Sequence, residues 1–101
     1  MSKEEVILGI TKNLKDTLGN EGLLDIGLGV EKQLGVSKAN FKAALAILRE
    51  EGYGVYKVEL KLVGTEARAY LKVLAPPGTS YAEVFKQRTA IRRIKVPDER
   101  L

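Results

Sequence analysis

The sequence predicts an α+β domain: three helices, then an antiparallel hairpin, then one further helix. Three observations lead there. Leu34-Gly35-Val36-Ser37 is followed by Phe41, Ala44, Leu45 and Leu48, a turn running into a helix with one apolar face. After Gly52 the hydrophobic period changes from helical to alternating, which is the pattern of half-buried strands. Pro76-Pro77-Gly78 then breaks the alternation, and Thr79 or Ser80 stands where the N-cap of a last helix is needed.

In chain order, Ser2-Lys3-Glu4-Glu5 has the form of a capping box. Val6, Ile10 and Leu14, widened by Ile7 and Leu18, make the stripe of a first helix from about Lys3 to Leu18, stopped by Gly19. A loop, Gly19-Asn20-Glu21-Gly22, leads to a short strand at Leu23-Leu24-Asp25-Ile26. A second helix runs from about Leu28 to Leu34, weakened at its start by Gly27 and Gly29. Gly35 supplies a residue free to take positive φ, Ser37 an N-cap, and Gly52 a left-handed stop for the third helix.

In the hairpin, Tyr56, Val58, Leu60 and Leu62 alternate with Lys57, Glu59 and Lys61. Beyond a turn at Val63-Gly64-Thr65-Glu66, Ala67, Ala69, Leu71 and Val73 alternate with Arg68, Tyr70 and Lys72. One face is therefore expected to be buried and the other solvated and cationic. The last helix is expected over Tyr81 to Ile91, with Val84, Phe85 and Ile91 turned inward. Residues 1–95 form one domain on this reading, and residues 96–101 a flexible tail.

Composition narrows the function. At 101 residues and 45% hydrophobic, the chain holds one modest core. It has no cysteine and no histidine, which excludes a disulfide framework, a thiolate zinc site and imidazole acid–base chemistry. No cofactor or metal site is suggested. The sequence shows no second carboxylate at useful spacing from Asp25, Glu50-Glu51 sit at a helix end, Gly27-Leu28-Gly29 falls short of a dinucleotide motif, and no nucleophile is accompanied by a recognisable base, so no enzyme is expected. There is no membrane-length apolar run and no signal peptide, and a cytoplasmic setting is the natural reading. The net charge of +4 is compatible with a polyanionic partner.

The turn and third helix read as a helix-turn-helix, whose second helix enters the DNA major groove. With Phe41, Leu45 and Leu48 inward, Lys38, Lys42 and Arg49 share one flank, and Ala39, Ala43 and Ala46 face outward. Lys38 and Lys42 would meet phosphates or guanine acceptors, with Ser37 and Asn40 hydrogen-bonding to backbone or bases. No arginine or glutamine on that face offers bidentate base readout, so sequence specificity is weakly encoded. On the hairpin, Lys57, Lys61, Arg68 and Lys72, with Tyr70 among them, would lie on phosphate. A third basic stretch runs from Lys86 to Lys95. The plainer alternative for all three is a solvated cationic surface.

From Gly35 to Tyr53 the pattern resembles the helix-turn-helix of gluconate-repressor-type winged-helix regulators. Leu34, Gly35, Val36, Ser37, Ala44, Leu45, Leu48 and Glu51-Gly52 match in place, while Ala43 and Ala46 stand where arginine is frequent and Phe41 replaces a smaller valine. A longer resemblance covers about Asp25 to Ile94. Glu50-Glu51-Gly52-Tyr53, Val63-Gly64-Thr65 and above all Lys72 to Val84, with its Leu-Ala-Pro-Pro-Gly-Thr segment, look like the N-terminal region of bacteriophage and prophage DNA-binding proteins. This likeness implies a phage or mobile-element origin, in a bacterial host cell, for the DNA-binding module of something larger. The expectation is thus a winged helix-turn-helix that binds double-stranded DNA, as a transcriptional or replication regulator, through Ser37, Lys38, Asn40, Lys42, Lys61, Arg68 and Lys72. The alternative is a protein-interaction or self-assembly module, acting as a homodimer or within a larger phage assembly, motivated by the stripe Ala39-Ala43-Ala46.

Overall fold

Three serines start three helices. The Oγ atoms of Ser2, Ser37 and Ser80 accept the backbone N–H groups of Glu5, Asn40 and Glu83 at 3.1, 3.1 and 3.2 Å. Each satisfies one of the donors a helix leaves unpaired in its first turn. Ser80, not Thr79, is therefore the cap of the last helix. The computed structural model describes residues 2–27, 29–61 and 68–93, with the side chains at 60, 61, 68, 69, 92 and 93 outside that description.

The element order is α1 (Lys3–Glu21), β1 (Leu24–Asp25), α2 (Val30–Leu34), α3 (Lys38–Glu50), β2 (Gly54–Lys61), β3 (Arg68–Ala75), α4 (Tyr81–Lys86) and β4 (Arg92–Arg93). Strands β2, β3 and β1 form an antiparallel sheet in that spatial order, and β4 adds to the free edge of β1 in parallel. The expected turn at 63–66 and the expected tail at 96–101 lie outside the described residues, as does Leu28, the expected start of the second helix.

The helices α2 and α3 both end on a glycine that takes positive φ. At Gly35 (φ 70°) its own N–H reaches Lys32 O at 3.1 Å and the next N–H, from Val36, reaches Glu31 O at 2.9 Å. At Gly52 (φ 96°) the same pair recurs, Gly52 N to Arg49 O at 3.0 Å and Tyr53 N to Leu48 O at 3.0 Å. These are paired C-terminal hydrogen bonds that satisfy the last carbonyls of each helix. The freedom of Gly35 to take positive φ at this corner lets α3 follow α2 after a short connection, residues 35–37.

Two expected boundaries are corrected. Helix α1 does not stop at Gly19 but runs to Glu21, and the chain turns at Gly22 (φ 86°), whose N–H bonds Leu18 O at 2.7 Å. A glycine inside a helix costs only about 1 kcal/mol, so the positive-φ corner, not the first glycine, sets the end. Helix α4 does not reach Ile91; it ends at Lys86 and gives way to turns over 87–90. The backbone then extends to pair Arg92 and Arg93 with Leu24 and Asp25, an edge pairing that a continued helix would forfeit. Phe85, expected inward, is 40% exposed, whereas Val84 is buried and Ile91 packs partly buried on the same cluster.

At its base the sheet is buried on both faces, where the sequence suggested one buried face. Leu24, Leu74 and the partly buried Val55 join the helical core of Ile10, Leu14, Leu18, Val30, Phe41, Ala44, Leu45 and Leu48. Val58, Val73 and Ala75 join Leu23 and Val84 in a second cluster under α4. There Tyr56 lies over Gly54, where a Cβ would come within 2.5 Å of its ring, and donates its hydroxyl to Thr79 O at 2.7 Å. Lys15 Nζ donates to Glu51 Oε1 at 2.6 Å, tying α1 to the end of α3, and this hydrogen bond raises the lysine pKa above its ordinary value. Being at the surface, the pair adds little stability.

The reassigned end of α1 has a signed consequence. Gly19→Ala, in open space inside the helix, should stabilise the protein by about 0.5–1 kcal/mol in urea unfolding. Gly22→Ala, at positive φ, should destabilise it by about 1–2 kcal/mol.

Candidate functional site

Strand parity brings the cations together. Val55 pairs with Leu74, Lys57 with Lys72 and Glu59 with Tyr70, and these residues share one face of the hairpin because side chains alternate along a strand. At the base of that face Val55 and Leu74 pack into the helical core beside α3. Two residues further along, Lys57 and Lys72 are exposed on the same side. On α3, Lys38, Lys42 and Arg49 occupy the flank next to the buried Leu45, as the helical spacing requires. The two sets face each other across a groove of about 1090 Å³.

Lys38, Lys42 and Arg49 line one wall of the groove and Lys57 and Lys72 the other, and Glu31 is the carboxylate among the described lining residues. Phe41, Leu45 and Val55 form its floor, and Ala39 and Tyr70 contribute apolar wall. The Lys57 ammonium sits 4.3 Å from the centroid of the Tyr70 ring, a cation–π contact that holds it against the hairpin. The remaining rim cations stand in water on flexible stems. Such an arrangement concentrates positive potential in a concave surface with low-dielectric walls, which attracts anions more strongly than scattered charges do.

Of the residues singled out in the sequence, Lys38, Lys42 and Lys72 line this groove. Ser37 and Asn40 do not. The Ser37 hydroxyl accepts the Asn40 N–H as the helix cap, and Asn40, half-buried, lies on the other flank of α3. Lys61 and Arg68 face each other as partners at the far end of the ladder, with side chains outside the described ones. Arg49, Lys57 and Tyr70 line the groove too; the sequence put Arg49 on the flank of Lys38 and Lys42 and set Lys57 and Tyr70 on the phosphate-facing side of the hairpin, without carrying them into the final set of DNA contacts. Their signal was present: Arg49 falls two turns after Lys42, and Lys57 and Tyr70 alternate in step with Lys72.

Of the third basic stretch, the described side chains Lys86 and Arg88 do not line the groove, and the side chains from 92 to 95 lie outside the described ones. Helix α4 covers the opposite face of the sheet, through Val84. Arg88 lies against Phe85, with its Nη1 donating to Phe85 O at 2.8 Å and its guanidinium 3.9 Å from the ring centroid. Asp25, half-buried, accepts the Gly27 N–H at 2.9 Å, a local turn bond next to the groove. Among the described residues no cluster of acids could hold a metal ion, and no helix is long and apolar enough to cross a membrane.

Comparison with protein-family models, with curated proteins and with solved structures finds no match.

The cap assignment of Ser37 is testable apart from any ligand. Ser37→Ala should lower stability by about 1 kcal/mol in urea unfolding, and Ser37→Asp, which also caps, should restore most of it.

Proposed function

We propose that the chain is a winged helix-turn-helix that binds double-stranded DNA, with α3 presented to the major groove and the β2–β3 hairpin to phosphate. The observation that carries this reading is the groove itself, where Lys38, Lys42 and Arg49 on α3 and Lys57 and Lys72 on the hairpin converge from two elements. The element order supports it: two helices joined by a tight glycine turn, followed directly by an antiparallel hairpin whose inner strand pairs with a short strand from the α1–α2 connection. A helix-turn-helix presents its second helix to DNA, and cations on an adjacent hairpin supply phosphate contacts. Because Ala39 and Ala46 are exposed, α3 can approach base edges closely, while its lysines serve phosphates better than they discriminate bases. Affinity on this account is mainly electrostatic. The sequence likeness to phage and prophage proteins favours a role in a mobile element, as a regulator of transcription or replication.

A second reading is favoured by one observation. Tyr81 and Phe85 are 47% and 40% exposed on α4, with ring centroids 6.2 Å apart and Arg88 over Phe85. Exposed aromatics with an arginine are the composition of interaction surfaces, so α4 would mediate self-association or assembly. Sedimentation velocity separates the readings: a dimer dissolved by Phe85→Glu supports this second role, and a monomer at every concentration counts against it.

Fluorescence anisotropy with a labelled random-sequence duplex across a salt series tests the first. Five engaged cations predict a slope of log affinity against log salt of about −4 to −5. Lys38→Ala/Lys42→Ala and Lys57→Ala/Lys72→Ala should each flatten that slope by about 2 units. Absence of binding at low salt, or a slope indifferent to both pairs in folded variants, would overturn the DNA reading.

A further inference from the structure

The groove has a feature that phosphate binding does not use. Its rim is cationic but its open lining is partly carbon: Val55 is half-buried, Ala39 and the ring of Tyr70 are exposed, and the buried Phe41 and Leu45 close the bottom as core. A phosphodiester strand engages the rim and brings no apolar body to the floor. An occupant matched to both needs a hydrocarbon or aromatic body with an anionic group at one end. The volume of about 1090 Å³ is just above the range of about 300–1,000 Å³ in which proteins hold small ligands. The aliphatic stems of the five rim cations add apolar surface while their charged ends stay in water.

We propose that this groove is a binding site for a small amphiphilic anion, a medium-chain or aromatic carboxylate. Its body lies on Val55, Ala39 and the ring of Tyr70, above the buried Phe41 and Leu45, and its carboxylate is held between Lys42 on one wall and Lys57 and Lys72 on the other. Burial of the body releases water from carbon surface, and the paired charges fix its direction. Where the DNA reading also holds, such a ligand occupies the cations that phosphate needs and so releases the duplex. That last step rests on the DNA reading; the binding site does not.

The probes are decanoate and 1-anilinonaphthalene-8-sulfonate, followed by fluorescence and calorimetry with the whole chain. Saturable binding of both is expected, with decanoate displacing the sulfonate and decanol, which has the same chain without the charge, binding at least about tenfold more weakly. Ala39→Trp projects from an exposed position and should fill the groove, weakening both probes by about tenfold or more while the unfolding midpoint holds. Lys57→Glu/Lys72→Glu should weaken the anions and leave decanol unchanged. Equal affinity for decanoate and decanol, or no saturable binding of decanoate below its aggregation range, overturns the proposal. So does binding that neither variant weakens. Duplex binding measured in parallel keeps the two readings apart: saturable decanoate binding without duplex binding upholds this site and defeats the DNA reading, and duplex binding without decanoate binding does the reverse.

Discussion

The parity of β3 governs the rest of the molecule. Leu74 is buried in the helical core beside α3, while its neighbours Val73 and Ala75 are buried on the opposite face under α4. Side chains alternate along a strand, so once Leu74 is committed to the helical side, Lys72 and Tyr70 must follow it there. The paired register carries Val55, Lys57 and Glu59 to the same side. A slip of one residue would send the lysines under α4, put Val58 and Val73 beside the cations of α3, and abolish the groove. Burial of one leucine in β3, worth about 1.5–3 kcal/mol, thereby positions the charges of the groove's hairpin wall.

The second consequence is the division of labour between the faces of the sheet. The helical side is apolar at its base and cationic further along, so a hydrophobic floor runs without a break into a charged rim. The other side is closed by α4, with Tyr56 spanning Gly54 to Thr79 O and Val84 filling the centre. The segment whose sequence is most distinctive, Lys72 to Val84, is mainly architectural. Leu74 and Ala75 are core, the turn closes by Thr79 N to Pro76 O at 3.2 Å, Gly78 takes φ 86°, and Ser80 starts α4. Within that segment it is Lys72 that combines ladder position with a place in the groove. A distinctive motif can thus report how two layers are joined and say little about what the site binds.

Local chemistry was the legible part. Ser2, Ser37, Gly35 and Gly52 announced helix starts and stops, because caps and positive-φ corners are decided within a few residues. The alternation of Lys57 and Lys72 with Val58 and Val73 announced the strands and their cationic face. What sequence could not settle was nonlocal. Gly19 and Gly22 both look like helix stops, and the choice follows from where Leu23 and Leu24 must enter two separate clusters. The end of α4 depends on an open edge at β1, a partner distant in the chain, that draws Arg92 and Arg93 into extended backbone. The groove is a product of four segments, residues 26–31, α3, β2 and β3, so the sequence could group Lys38, Lys42 and Arg49 on one helix flank and Lys57, Tyr70 and Lys72 on one hairpin face but not bring the two sets together. Ser37 and Asn40 carried suitable chemistry but are committed, respectively, to the cap and to the far flank of α3.

The central claim is that α3 and the hairpin form one anion-binding surface. Titration of the isotope-labelled protein with duplex DNA, followed by backbone and side-chain NMR shifts, addresses it most directly. The account predicts that Lys38, Ala39, Lys42 and Arg49 shift together with Lys57, Tyr70 and Lys72, at one common affinity. Shifts confined to Tyr81, Phe85 and Arg88 on α4, or a response of α3 without the hairpin, would contradict it.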